Sequence, residues 1–479
     1  MREQALTRTG TTTITETDMR HLALAAMATL LLTTTSLRAE TYYVSTTGND
    51  ATSGTITQPF RTINQGVKKL APGDQLYVRG GTYNQSVLVY QKHGIVNGVP
   101  SPIRINTYGT EVVIIDGTGT TQNSVVAISR SSHIYFEDFI VRNGPGMGIF
   151  MYDSNNIKVR YNEVHTNQTF GIHAATASSS AWGTSHHIVI ADNKVYNNVL
   201  ANKGNNNPPS GSGGWAQALS AMRSDYVDII DNYVYENYGE GIDLILTDHG
   251  LVQDNKLWDN FSTNIYLDNA QFSTVDGNRV SCGTNTAFYR DGSPGGGIST
   301  ANESYPEYGA QNPLDSITVK NNIVLRCHYG FNYRNSEVGG GLHNTVIANN
   351  VFYSTTYATI WIRDADNGSH VHDTTLVANN IFYQKYDRPY ASAPTVGITY
   401  QNNVWYGGGN PATIINGPGD LTSDPMLVNP GGSSADSYKL QAGSPCIDAG
   451  TYVSQVDKDY FTTLRARRGL ALDIGIHEY

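Results

Sequence analysis

An Asn just before an apolar pair recurs nine times in this chain, at Asn162, Asn193, Asn232, Asn255, Asn278, Asn322, Asn350, Asn380 and Asn403. The runs include Asp-Asn-Lys-Val-Tyr, Asp-Asn-Tyr-Val-Tyr, Asp-Asn-Lys-Leu-Trp and Asn-Asn-Val-Phe-Tyr. Successive gaps are 31, 39, 23, 23, 44, 28, 30 and 23 residues. A base period of 23 with insertions is the mark of a solenoid. One coil cannot bury its apolar face alone, so neighbouring coils must stack. An Asn at the same place in each coil predicts an internal amide ladder, every side chain turning a corner and bonding the same Asn above and below.

A core that grows in one direction lets 479 residues form a single body rather than several domains. Gly supplies 48 residues and Tyr 31, and only 15% are charged, a profile of short strands and tight turns. That balance suits a surface meeting sugar through aromatic stacking and neutral hydrogen bonds. Met19-Arg20-His21, the apolar run Leu22 to Leu32 and the small residue Ala39 read as a secretory leader, which implies a secreted or periplasmic protein. No other apolar run is long enough to span a membrane. The formal charge is −10, and −11 once residues 1–39 are removed, which argues against nucleic acid as a partner. An acidic protein acting on a polyanion needs local Arg, Lys or a bound cation. Cys282 and Cys327 follow consecutive ladder Asn residues by four and five positions and can face each other on adjacent coils, bridged or free. Cys446 reads as a small buried residue.

Phe60, Ile63, Val67 and Leu70 share one helical face, predicting a short helix that covers the open end of the stack. The stretches Tyr43-Val44-Ser45, Gly48-Asn49-Asp50, Pro59-Phe60-Arg61-Thr62-Ile63 and Gly73-Asp74-Gln75-Leu76-Tyr77-Val78-Arg79-Gly80-Gly81-Thr82-Tyr83 resemble the N-terminal cap and first coils of secreted right-handed parallel β-helix proteins. The likeness is to polysaccharide lyases of the pectate-lyase and alginate-lyase kind. Ser444-Pro445-Cys446-Ile447-Asp448-Ala449-Gly450 and Asp473-Ile474-Gly475-Ile476-His477-Glu478-Tyr479 resemble the closing segment of the same set. The resemblance implies an all-β right-handed parallel β-helix with a short N-terminal capping helix. Its parts would be a leader and extension over 1–39, a cap over 40–72, the helix over 73–440 and a closing segment over 441–479. The fold hosts lyases, hydrolases, epimerases and adhesins alike.

Strand alternation then turns the repeat into a surface map. Ile149, Ile172, Leu219, Ile242, Ile265, Phe331 and Ile360 are expected to point inward. One outward column reads Phe150, His173, Ser220, Asp243, Tyr266, Asn332, Trp361, and the next reads Tyr152, Ala175, Met222, Ile245, Asp268, Arg334, Arg363. With coils about 4.8 Å apart, Asp243 and Tyr266 become neighbours and Asp268 lies diagonal to Asp243. Insertions at 197–216, with Lys203 and Trp215, and at 282–315, with Arg290 and several Tyr, are placed to wall a groove.

Such a groove can cleave an acidic, uronate-containing polysaccharide by β-elimination, which needs a base, a stabiliser of enolate-like charge and an acid. His173, Asp243, Tyr266 and Arg334 are the catalytic candidates. Trp215, Asn264, Asn332, Trp361, Arg363 and Lys203 are the substrate-binding ones. Glu240, Asp243 and Asp268 could hold Ca²⁺, whose hard charge suits carboxylate oxygens. Tyr266 reads as a surface phenol able to act as acid, or as base beside a cation. Hydrolysis by Asp243 and Asp268 is the rival. The Asn-Thr-Asp signature of polygalacturonase-type hydrolases is absent, as is the Ala-Asp-Gly-Phe coil of the pectate lyases nearest at the N-terminus. A non-catalytic, sugar-binding or adhesive solenoid is the third reading. The chain is expected to act as a monomer.

Overall fold

The computed structural model describes residues 38–204, 216–309, 312–336, 340–363, 371–462, 464 and 471–479. Nearly all of the leader read in residues 1–39, and Trp215, fall outside that set. From Glu40 to Tyr479 the chain forms one compact unit. Three parallel sheets of 13, 12 and 11 strands run its length, each strand pairing with its equivalent one coil away. This is a parallel β-helix with three faces per coil. Coil strands end at Val404–Gly407, and the remaining residues wrap the last coils in turns and short 3-10 segments.

The nine Asn residues form the expected ladder, and all are buried. The Nδ2 of Asn232 donates to Oδ1 of Asn255 at 3.0 Å, and Asn255 does the same to Asn278 at 3.0 Å. The backbone amides of Asn232 and Asn255 donate to the same oxygens at 2.9 and 3.0 Å. The Asn255 side chain thus satisfies two buried backbone groups, the Asn232 amide and the Ile229 carbonyl, and the side-chain amides on either side. The residue before each Asn stands in the left-handed region, among them Asp192, Asp231, Asp254, Asn321, Asn349 and Asn379 at φ between 54° and 57°. Asp and Asn tolerate that conformation better than most residues. The Asp-Asn and Asn-Asn doublets are therefore one corner written twice: a left-handed residue, then a ladder amide.

A second ladder runs five residues further on. Asn167 donates to Asn198 at 2.8 Å, Asn198 to Asn237 at 3.1 Å and Asn237 to Asn260 at 2.9 Å. Where it ends, Cys282 and Cys327 are joined by a disulfide. Inside, Ile149, Ile172, Leu219, Ile242, Ile265, Phe331 and Ile360 stack as expected, all fully buried. The capping helix spans Ile63–Lys69, with the Thr62 hydroxyl accepting from the Gln65 amide at 3.2 Å. Phe60, Ile63, Val67 and Leu70 seal the end of the core. No helix among the described residues is long and apolar enough to cross a membrane.

Asn255→Ala should cost about 1–3 kcal/mol of unfolding free energy, because it leaves buried amides above and below without partners. Denaturant titration checks this. An unchanged midpoint would mean that the ladder does not hold the coils.

Candidate active site

Two coils of unbroken 23-residue spacing carry the centre of the third sheet. Asp243 pairs with Tyr266 and Ile245 with Asp268, which puts Asp268 diagonal to Asp243. On one side, Ser220 pairs with both His173 and Asp243. On the other, Tyr266 pairs with Ser299 and Ser299 with Asn332. That intervening strand, Gly296–Asn302, lies within the 282–315 segment expected to be wall alone. The segment is a loop, a full coil strand and a second loop. The strand is hidden in sequence because its residues Gly-Gly-Ile-Ser-Thr-Ala-Asn carry one large apolar side chain.

These strands line a cavity of about 770 Å³. Its walls hold the carboxylates of Glu240, Asp243, Asp268 and Glu303 and the guanidinium groups of Arg290, Arg334 and Arg363, with His173, Tyr266 and Tyr305. Glu240, Asp243, Asp268 and Tyr266 are each at most 2% exposed. The reading of Tyr266 as a surface hydroxyl is therefore corrected: the phenol is buried and donates to Glu303 at 2.6 Å. Burial first, then Asp268, pushes its pKa well above the usual phenol range despite the opposing pull of Arg334. That direction favours the protonated phenol.

Burial also governs the carboxylates. It raises Asp243 well above the usual range, and Glu240, Asp268 and Glu303 add to the shift. A hydrogen bond to Glu240 raises Asp243 further and lowers Glu240. Burial raises Glu240 as well, against the opposing pull of Arg334, 3.8 Å away. The Oδ1 of Asp243 is buried with no hydrogen-bond partner. Gln217 donates to the Oε2 of Glu240 at 3.1 Å. Asp268 is also raised by burial and by Glu303, against donors from the Tyr305 hydroxyl and the Glu303 amide. His173 is pressed between Phe170 and Phe150, with ring centroids 4.4 and 5.5 Å away. Its Nδ1 lies 2.8 Å from the Ser220 hydroxyl, and burial pushes its pKa down to about 4, so the ring is neutral at neutral pH.

Arg334 departs from its predicted column. Register slips between the Ala301 coil and the next strand, Tyr329–Ser336, where Tyr333 and Ser336 face Thr300 and Asn302. A bulge of this kind re-aims side chains and recurs beside active sites. Here it brings the guanidinium over the Tyr266 ring, 4.8 Å from its centre. Burial works against that charge, but Tyr266 and Glu240 outweigh it and hold the pKa above its ordinary value. Arg334 is thus part of the centre, not a remote contact.

Of the other candidates, Arg363 lines the same cavity. Asn332 and Trp361 line a smaller hollow of about 350 Å³ that shares Arg290 and Arg334 with it, so the groove continues that way. Trp361 stacks on Tyr329 at 5.3 Å. Asn264 does not face substrate: it is fully buried and donates to the Gly296 carbonyl at 2.9 Å. It takes up the end of the second ladder, accepting from Asn260 at 2.9 Å. Lys203 sits over the Tyr238 ring at 5.6 Å and does not line the cavity. Gln217, Glu303 and Tyr305 were missed by sequence reasoning. Gln217 precedes the expected strand by one residue, and the other two follow the unrecognised coil.

The oxygens of Glu240 and Asp268 already receive Gln217, Arg334, Tyr305 and the Glu303 amide. Only Asp243 offers an unpartnered oxygen among the three expected Ca²⁺ ligands. Among the described residues no group of three or more His, Cys, Asp or Glu side chains is arranged to hold a metal ion. The set Glu240, Asp243 and Asp268 does not fit a calcium cage.

The sequence model of the family described as "Pel9A-like, right handed beta helix region" matches residues 42–367. Pectate lyase PEL9 of Emericella nidulans is 31% identical over 128 residues, 24% of this chain and 30% of that protein. The chain thus aligns with less than a third of that relative's length. Among solved structures, the pectate lyase Pel9A superposes with a TM-score of 0.52 at 15% identity, covering 92% of this chain and 97% of that one. XylC, solved in complex with xylose, superposes with a TM-score of 0.58 at 14% identity, covering 91% and 98%. At these identities the likeness to the solved structures is one of fold.

The raised pKa of Asp243 has a thermodynamic signature. Between the unfolded carboxylate value and the raised folded value, the native site holds a proton that the unfolded chain releases. The associated stability is complete below the unfolded value and is lost as pH rises through the folded one. Asp243→Asn should therefore raise the melting temperature at about pH 8, and the gain should shrink towards about pH 4. Calorimetry at both pH values checks this, and a pH-independent shift would contradict the buried proton.

Proposed function

We propose that this chain, which belongs to the Pel9A-like right-handed β-helix family, is an exported polysaccharide lyase that cleaves a uronate-containing polysaccharide by β-elimination. One observation carries the reading: Asp243, a carboxyl raised by burial and with its Oδ1 unpartnered, lines a cavity that also holds the Arg334 guanidinium. Export is supported by the leader-like segment and by the Cys282–Cys327 bridge.

The substrate carboxylate faces Arg334, with Arg290 and Arg363 on the same walls. Guanidinium matches carboxylate geometry and stabilises the charge that builds there when the neighbouring proton leaves. His173 takes that proton, since its ring is neutral and its place fixed by Ser220 and two Phe rings. The electron pair forms the ring double bond, and the bond to the glycosidic oxygen breaks. Asp243 gives its proton to the departing oxygen, which becomes the new reducing end. His173 and Asp243 lie two strand spacings apart, about 10 Å, leaving room for one sugar ring between base and acid. Tyr266 positions Arg334 and Glu303 rather than moving a proton. In this reading Arg334 supplies the positive charge for which Ca²⁺ is the alternative.

Glycoside hydrolysis is the second reading, favoured by the buried pair Glu240 and Asp243, whose mutual hydrogen bond pushes Asp243 up and Glu240 down. Such a split is how a carboxylate pair divides base and acid work.

Ultraviolet absorbance of unsaturated uronate, followed on pectate, alginate and glycosaminoglycan substrates, separates the readings. Elimination makes the chromophore, whereas reducing ends without it mean hydrolysis. Asp243→Asn should lower turnover by about 10²–10⁴-fold, and Arg334→Ala should lower kcat/KM by about 10²-fold. Chelation should leave the rate unchanged. A loss that added Ca²⁺ restores would move the neutralising role from Arg334 to the ion.

A further inference from the structure

A third hollow, of about 600 Å³, lies on the far side of the 283–294 loop from the groove. Tyr289 faces it, while the next residue, Arg290, faces the groove. Its side walls carry Arg326, Lys385, Arg388 and the Tyr353 and Tyr386 rings, and residues 429–432 close it. Among the described residues no Asp or Glu lines it. Asp387 stands in the same turn but not on the wall. In a chain of formal charge −10, three cations around one concavity with no carboxylate among them set up a local positive field.

The hollow is built rather than incidental. Arg326 is braced from both ends, its Nη1 donating to the Gly431 carbonyl at 3.2 Å and its Nη2 to the Ser281 hydroxyl at 3.0 Å. The Tyr353 hydroxyl reaches the Pro430 carbonyl at 3.4 Å, fixing the closing segment. Lys385 and Arg388 stand exposed on the turn after the strand Ile381–Gln384, and neither has a carboxylate within ion-pair distance among the described residues. Between them Tyr386 offers a ring that is 61% exposed, with the Lys385 ammonium 5.5 Å from its centre. A fixed guanidinium, two exposed cations and an open ring are what a carboxylated sugar takes: charge-assisted bonds to the acid and stacking on the sugar face.

We propose that this hollow is an auxiliary binding site for a carboxylated polysaccharide, holding a stretch of polymer away from the cleavage point. The central cavity mixes four carboxylates with its cations, as proton transfer needs, whereas this site has cations alone, as retention of a polyanion needs. The identity of the polymer rests on the lyase reading, but the anion site itself does not.

The test uses the full chain and the double variant Lys385→Ala/Arg388→Ala, which spares the braced Arg326. Binding of long polygalacturonate, alginate and chondroitin is titrated at low salt, with neutral dextran as control. The double variant should bind the carboxylated polymer about five- to tenfold more weakly, the difference fading as salt is added. Its kcat and KM on short oligomers should match the parent's. Unchanged polymer affinity, equal binding of dextran, or no binding of any anionic polymer by the parent would overturn the proposal. Weakened polymer binding with no chromophore on any substrate would leave the hollow standing and remove the lyase. Chromophore with unchanged affinity would do the reverse.

Discussion

A buried amide at the corner of each coil has to find its partners in the coils on either side. Everything else in the molecule inherits the register that this sets. Asn232, Asn255 and Asn278 are bonded side chain to side chain and side chain to backbone, with nothing left for water. A slip of one residue in any coil would bury apolar groups on the wrong face and leave these amides unpaired. Stacking is therefore strict where the ladder runs, and strict stacking makes outward residues of successive coils reliable neighbours. His173, Ser220, Asp243 and Tyr266 stand in one line for that reason and no other.

The chemistry arises where this regularity is interrupted. The loop after the Gly296–Asn302 strand brings Glu303 and Tyr305 over Tyr266 and Asp268. The bulge one coil later turns Arg334 back over the same ring. A regular solenoid would present these groups in separate rows open to solvent, where their pKa values would stay near ordinary ones. Closing loops over the rows removes water, and burial becomes the largest influence on Asp243, Asp268 and Tyr266 alike. The fold supplies alignment, and the interruptions supply the low-dielectric cavity.

That division explains what could be read from sequence. The Asn period revealed the architecture, and the 23-residue spacing placed Asp243, Tyr266 and Asp268 on adjoining coils. Strand alternation was enough to sort their side chains outward. It failed for Asn264, which lies where an outer strand begins and turns inward to close the second ladder. That ladder itself was legible: Asn167, Asn198, Asn237 and Asn260 each follow a ladder Asn by five residues. The Gly296–Asn302 strand was not, because an insertion separates it from its coil's corner at Asn278 and its short apolar content sits among glycines. Arg334 and Glu303 depend on a bulge and a loop path, and neither leaves a periodic trace.

An acidic protein that handles a polyanion must solve a repulsion problem at the point of contact. Here two devices work together. Within the cavity, burial raises Asp243 and Asp268 well above the usual carboxylate range, which favours a held proton over negative charge. Arg334 stands against Glu240 and lowers its pKa from what burial alone would give. Arg290, Arg334 and Arg363 share the walls with these carboxyls. In the proposed lyase, the same proton that removes repulsion is the one a departing glycosidic oxygen needs. Substrate tolerance and acid catalysis would then have a single physical origin, the desolvation of Asp243 between coils whose spacing the amide ladder fixes.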